Sequence, residues 1–297
     1  MADDTFTAVD LSRLPAPKII EALDFESIYA DALAQFIALM PDFVARDSDP
    51  ATKLLQLFAY REQILRQRIN DALRGTMVAY AVGADLDNLG ALLGVVRLTV
   101  TPADTALNTP AVLESDTDFR RRIVLAPEGY SVAGPEGAYV YHALSADAEV
   151  LDASATSPEP GNVLISLLSR NGGGAASADL VAAVSSYLTA EHRRPLTDYV
   201  TVMSAQIVEY TIAATLTTFS GPDGGVVLAA AQTKLAAFIA DSHRIGRDVT
   251  RSAIFAALHV EGVQNVTLTS PAADIIISRT QAPHCTAHTI TYVGVGE

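Results

Sequence analysis

Apolar positions recur at three- and four-residue spacing from Ile20 to Met40, through Leu23, Ile28, Ala32, Leu33 and Phe36, which predicts an amphipathic helix with Asp24 capping its main part. Pro41-Asp42-Phe43 ends it. Asp49-Pro50 opens a second periodic run to about Tyr80, with Leu54, Leu57, Phe58, Arg61, Leu65, Arg68, Ile69 and Leu73 near one face. At about 1.5 Å per residue this helix would reach roughly 45 to 50 Å, longer than a helix pair requires. The opposite face carries Arg66, Gln67, Asn70 and Arg74, which reads either as a solvated face or as a polar seam against partner helices. Gly83 is expected to close the long helix, and Asp85 to Leu93 forms a short one ended by Gly94.

Between Val95 and Leu113 the helical period vanishes, leaving an irregular crossing with one short strand, Val96 to Thr101. A joint follows. Ser115 caps a short helix whose first turn holds Asp116 and Asp118 and whose last turn holds the arginines, and Pro135 opens another after an elbow at Pro127-Glu128-Gly129. Beyond the joint, strands are predicted at Val150 to Thr156, Asn162 to Leu168, Val200 to Met203, Ile207 to Phe219, Val263 to Leu268, Ile275 to Ser278 and Thr286 to Val293. Helices are predicted at Ala178 to Ala190, Val226 to Ala240 and Arg251 to His259. The runs Glu191-His192-Arg193-Arg194 before Asp198-Tyr199-Val200, and Ser242-His243-Arg244 before Asp248-Val249, form a faint internal repeat. The fold class is therefore α+β, a helical N-terminal region followed by two small mixed-sheet lobes. Residues 1–18 read as an extended arm, 19–94 as the helical region, 95–146 as linker and joint, 147–205 as the first lobe and 206–297 as the second.

Composition narrows the classes. A chain of 297 residues with 49% hydrophobic content can build a sizeable core. No uncharged apolar run of about eighteen residues suggests a membrane span, and the acidic start Met1-Ala2-Asp3-Asp4 is unlike a secretory signal, so synthesis in the cytoplasm is expected. The single cysteine, Cys285, excludes an internal disulfide, and the net charge of −14 opposes nucleic-acid binding.

Candidate chemistry is sparse. Gly172-Gly173-Gly174 lacks the following Lys-Ser or Lys-Thr of a phosphate loop and reads as a surface turn. His284-Cys285 with His288 is a cluster of possible metal ligands, but in a regular strand the two histidines share a face that Cys285 does not. No serine sits in a nucleophile elbow, and no paired acid and base can be assembled, so no enzyme, cofactor or metal is expected. Arg120-Arg121-Arg122, His192-Arg193-Arg194 and His243-Arg244 with Arg247 are basic groups on an acidic chain. They read either as helix C-terminal charges or as docking points for acidic surfaces of sister chains.

The runs SDTDFRRRI (115–123), SVAGPEGAYVYHALSA (131–146) and LDASATSPEPGNVLISLLS (151–169) closely resemble J-type baseplate assembly proteins of contractile phage tails and tailocins. The similarity extends through residues 49–72, 83–95 and 243–275, almost the whole chain. It implies a wedge component of a baseplate, located in the virion or tailocin particle. Two copies would contribute helices to a bundle with a different wedge protein, and the α+β lobes would join wedges into a ring around the spike and hub. The ring would widen on host contact and pass that change to the sheath. Mapped onto this chain, the resemblance assigns the bundle to about residues 19–93 and the ring to about 147–297; within them the helical pattern makes Leu54, Phe58, Arg61, Leu65, Arg68, Ile69 and Leu73 candidate bundle residues, and the charge pattern makes Arg193, Arg194, Arg244 and Arg247 candidate ring residues. From another class, a tail-associated peptidoglycan hydrolase is the alternative.

Overall fold

The computed structural model describes Leu11, Pro17 and residues 21–190, 193–221 and 223–296. Apart from Leu11 and Pro17, the expected arm lies outside the described residues, as does His192. The chain divides into two compact units, one of Ala8–Val96 with Ser115–Ile123, the other of Met1–Thr7, Arg97–Glu114 and Val124–Glu297.

The helical unit starts with α1 (Phe25–Leu39), where the Asp24 carboxylate accepts the Ser27 N–H at 3.0 Å. In α2 (Pro50–Gly75) the Asp49 carboxylate caps Ala51 N at 2.9 Å and Pro50 occupies the first turn, where no N–H is needed. With 26 residues it is about 39 Å long, shorter than the pattern suggested. Two features stop it early. A Cβ on Gly75 would stand 2.8 Å from the Asp85 carboxylate, and the Arg120 guanidinium takes the Val78 and Ala81 carbonyls, each at 2.6 Å. Gly83 opens the next helix instead of closing α2, because its φ of +54° suits glycine and its N–H reaches the Asp116 carboxylate at 3.2 Å. That helix is α3 (Gly83–Ala91), and Asp116 begins α4 (Asp116–Leu125), itself capped by Ser115 Oγ on Asp118 N. Phe119, Leu86 and Ile123 are fully buried among them. Arg122, also buried, donates to the Val96 carbonyl at 2.7 Å.

In the second unit, β1 (Thr99–Thr101) pairs with β2 (Val112–Leu113), a short strand the sequence pattern does not announce. After a 3-10 turn at Ala126–Tyr130, α5 (Glu136–Ala146) has Pro135 as its N-cap. The first sheet has the order β3-β4-β5, with β3 (Val150–Glu159) antiparallel to β4 (Asn162–Ser169) and β5 (Tyr199–Ser204) parallel to it. Between β4 and β5 runs α6 (Ala178–Leu188), capped by Ser177, and its Leu180, Val184 and Leu188 close a core with Tyr139, Ile165 and Leu167.

The second sheet has β6 (Gln206–Thr218) at its centre. It is followed by α7 (Gly224–Ser242), α8 (Arg251–Leu258), β7 (Val263–Ser270) and β8 (Gln281–Val295), in the order β7-β6-β8. β7 is antiparallel and β8 parallel to β6. By length and composition α7 could cross a membrane, yet Val227, Ala231 and Leu235 are buried against the sheet, as in a core helix. Residues 275–278 do not form a strand. Val249 and Ile275 make one isolated bridge, and Asp248 accepts the Ile277 N–H at 2.6 Å. The faint repeat therefore marks two mixed three-stranded sheets built in different chain order: Asp198-Tyr199-Val200 leads into β5, while Asp248-Val249 leads into α8.

The two sheets share one junction. Only Ala205 separates β5 from β6, and Leu168, Ala205 and Ala282 are buried there together. The Asp152 carboxylate accepts the Ile245 N–H at 2.9 Å, Arg244 donates to the Leu151 carbonyl at 2.9 Å, and Arg279 pairs with Glu136.

Candidate protein interface

On a straight helix successive residues turn by about 100°, so positions 52, 59 and 70 of α2 share one face, and Leu54, Phe58, Leu65 and Ile69 lie roughly 140° around from it. The first face is the one that packs. Thr52, Ala59 and Asn70 are buried where α2 meets α1. Asn70 is only 3% exposed and exchanges two bonds with the Glu21 backbone, accepting its N–H at 3.1 Å and donating to its carbonyl at 2.9 Å. Arg66 bridges Glu62 at 2.6 Å and Glu21 at 3.2 Å, and Glu62 foremost pushes its pKa further up. The polar side of α2, expected either to be solvated or to meet other chains, is thus the seam within this chain. Small and polar side chains let the helices approach and fix register through paired bonds. Replacing Asn70 with Ala leaves both Glu21 groups without these partners and is expected to cost about 1–3 kcal/mol, read as a lower urea midpoint.

The apolar side is left outside. Leu54 is 53% exposed, Phe58 61%, Leu65 61% and Ile69 58%, with Leu57, Tyr60 and Ile64 exposed beside them. Arg61 and Arg68 sit within this stripe, exposed and without a partner among the described residues, while Leu73 at its end is half-buried. Tyr60 and Ile64 were not among the expected interface residues; their spacing of three and seven from Leu57 groups them with it on a second exposed apolar face, separated from the stripe by Arg61 and Arg68. A helix that turns its polar face inward and its leucines outward exposes a run of apolar side chains of the kind that marks interaction sites.

The other expected interface residues are drawn into their own chain. Arg193 stacks on the Tyr187 ring with its guanidinium carbon 3.6 Å from the centroid and donates to the Tyr187 carbonyl at 3.0 Å. Arg194 reaches the Asp198 carbonyl at 2.9 Å, and Arg247 pairs with Asp241 at 2.8 Å. With Arg244 on Leu151, all four cap or join elements of the α+β unit.

The histidine and cysteine cluster also changes. β8 carries a bulge at Thr286, so His284 pairs with Glu209 and His288 with Ile212, three residues apart on β6, and the two histidines face opposite sides of the sheet. His284 instead lies against His243, ring centroids 5.4 Å apart. Burial pushes the Cys285 thiol pKa up. Among the described residues no three His, Cys, Asp or Glu side chains converge as metal ligands.

Three family models match along the chain: the Baseplate J-like N-terminal domain over residues 47–104, the Baseplate J-like central domain over 131–204 and the Baseplate J-like protein C-terminal domain over 210–292. Baseplate protein J of Escherichia phage P2 is 53% identical over 299 residues, covering 97% of this chain and 99% of that protein. The chain belongs to the Baseplate J-like family. Within the Baseplate J-like chain the N-terminal match spans α2 and α3, the central match α5 to β5, and the C-terminal match most of the β6 to β8 segment. A chain in the cryo-EM structure of the anti-feeding prophage baseplate is similar at a TM-score of 0.39 and 16% identity, over 61% of this chain and 44% of that one, a level that carries no argument about assembly.

Proposed function

We propose that this Baseplate J-like protein is a structural component of a contractile tail baseplate. It acts as a wedge subunit, with the α2 stripe seated in a helical bundle formed by two copies of this chain and one different wedge protein. The α+β units link wedges into the ring around the spike and hub, and carry the change in ring diameter to the sheath. The observation that carries this reading is the exposed stripe of Leu54, Phe58, Leu65 and Ile69, left without cover by a hairpin that packs through its polar side. Family membership supports it, through a P2 relative named for the baseplate. Synthesis in the bacterial host cytoplasm and residence in the finished particle follow from that role.

The experiment is to measure the native mass of the chain alone and co-expressed with the products of its flanking genes. A complex of two copies with one different partner is expected. A chain that stays monomeric beside every neighbour would remove the bundle.

A further inference from the structure

The helix α2 is a basic island on an acidic chain. It carries Lys53, Arg61, Arg66, Arg68 and Arg74 against only Glu62 and Asp71, while the chain as a whole has a net charge of −14. Both carboxylates are already engaged: Glu62 accepts from Arg66 at 2.6 Å, and Asp71 from Arg74 at 3.5 Å and from Gln67 at 2.7 Å. Lys53 donates to the Gln56 side chain at 3.2 Å. Arg61 and Arg68 remain, both exposed and unpaired among the described residues.

Their placement is informative. Seven residues along a helix return to within about 20° of the same direction, so the two arginines form one row. Leu57, Tyr60 and Ile64 stand exposed on one side of that row, and Phe58, Leu65 and Ile69 on the other. The opposite side of α2 is filled by α1 through Thr52, Ala59 and Asn70. A helix with an apolar flank on each side of a row can meet two further neighbours at once, and the row then points into the seam between them. Closing such a seam takes both guanidinium groups out of water, which is unfavourable unless each finds a carboxylate.

We propose, resting on the reading of α2 as a bundle helix present in two copies, that Arg61 and Arg68 select the third helix, and that they recognise a helix of a different protein bearing two carboxylates seven residues apart. Each layer of the row holds one arginine from either copy. A third α2 would add a third guanidinium to the layer and no counter-charge, so this chain is barred from filling the place itself. A Glu or Asp in that place offers two oxygens with about four acceptor sites, enough to take a guanidinium from both copies. The apolar flanks supply contact area, and the arginines decide which helix is admitted.

The test uses the full chain and the flanking gene product that co-purifies with it. Arg61→Glu with Arg68→Glu should leave thermal denaturation of the chain alone unchanged, because neither side chain has an ion pair to lose, and should weaken the complex at least about a hundredfold. Changing the two facing carboxylates of the partner to Arg should restore it. Were the complex lost with Leu65→Asp but kept with the reversed arginines, the bundle would stand and selection by charge would fall. Failure of every such exchange in the partner to rescue the reversed chain would overturn the proposal as well. Exclusion of a third copy is read without any partner. Sedimentation velocity of Arg61→Leu with Arg68→Leu should show association beyond that of the wild-type chain, reversed by adding Leu65→Asp, and a mass equal to the wild type would show that the arginines do not hold copies of α2 apart.

Discussion

Replacing Leu65 or Ile69 by Asp is expected to leave the chain folded and to abolish its assembly with the partner wedge protein. Both side chains are more than half exposed in the isolated chain, so the substitution removes little intrachain packing, and stability should move by less than about 0.5 kcal/mol. In the proposed bundle the same position would be dry. Losing a buried Leu or Ile forfeits about 1.5–3 kcal/mol, and burying an unpaired carboxylate adds a penalty of several kcal/mol, together a thousandfold or more in affinity. Co-purification with the flanking gene products measures the loss, and thermal denaturation of the variant alone checks the fold. Leu65→Ala should be milder, since it loses burial without adding a charge. Normal recovery of the complex with Leu65→Asp would show that the stripe faces water in the particle as well.

Phe119→Ala should cost about 3–5 kcal/mol, the largest stability effect expected of a single side chain in the helical unit. Phe119 is fully buried where α4 crosses α3, and the site is closed on the far side by Gly90. A Cβ at Gly90 would stand 2.6 Å from the Phe119 ring, 3.0 Å from the Val95 carbonyl and 3.1 Å from Ile123 Cδ1. The ring therefore fits only because residue 90 has no side chain, and Gly90→Ala should cost about 1–3 kcal/mol by overpacking. Urea denaturation gives both numbers, and hydrogen exchange should show the loss of protection in α3 and α4. A cost below about 1 kcal/mol for Phe119→Ala would mean the helices close over the cavity, contrary to rigid packing at Gly90.

Most helices and strands were legible because their signals are local. Asp24, Asp49, Ser115 and Ser177 cap the helices they precede, and alternation along β6 marks its buried face. What the sequence left open was set at a distance. α2 stops at Gly75 because Arg120, about forty residues later, claims the carbonyls that a continuing helix would use. The strand expected at 275–278 is displaced by Asp248 holding Ile277. For the candidate site, periodicity located the apolar stripe of α2 but not its surroundings. Amphipathic pattern alone assigns leucines to the inside, and only the paired bonds between Asn70 and Glu21 reveal that the polar side packs. The arginines near residues 193 and 244 were visible as charge, and their commitment to backbone carbonyls was not, since that depends on where the chain returns.

The continuity of β5 and β6 through Ala205 bears on how the α+β unit carries load. A pull delivered to the first sheet along β5 would enter the second through Ala205 at the start of β6, whose pairing with β8 runs from Gln206 to Thr218. In that direction the ladder resists in shear, with all its hydrogen bonds stretched at once, whereas a pull across the strands would unzip them one after another. With a single residue between β5 and β6, there is little slack in the connection, and a movement imposed on one sheet along β5 is expected to reach the other where the ladder of β6 and β8 begins.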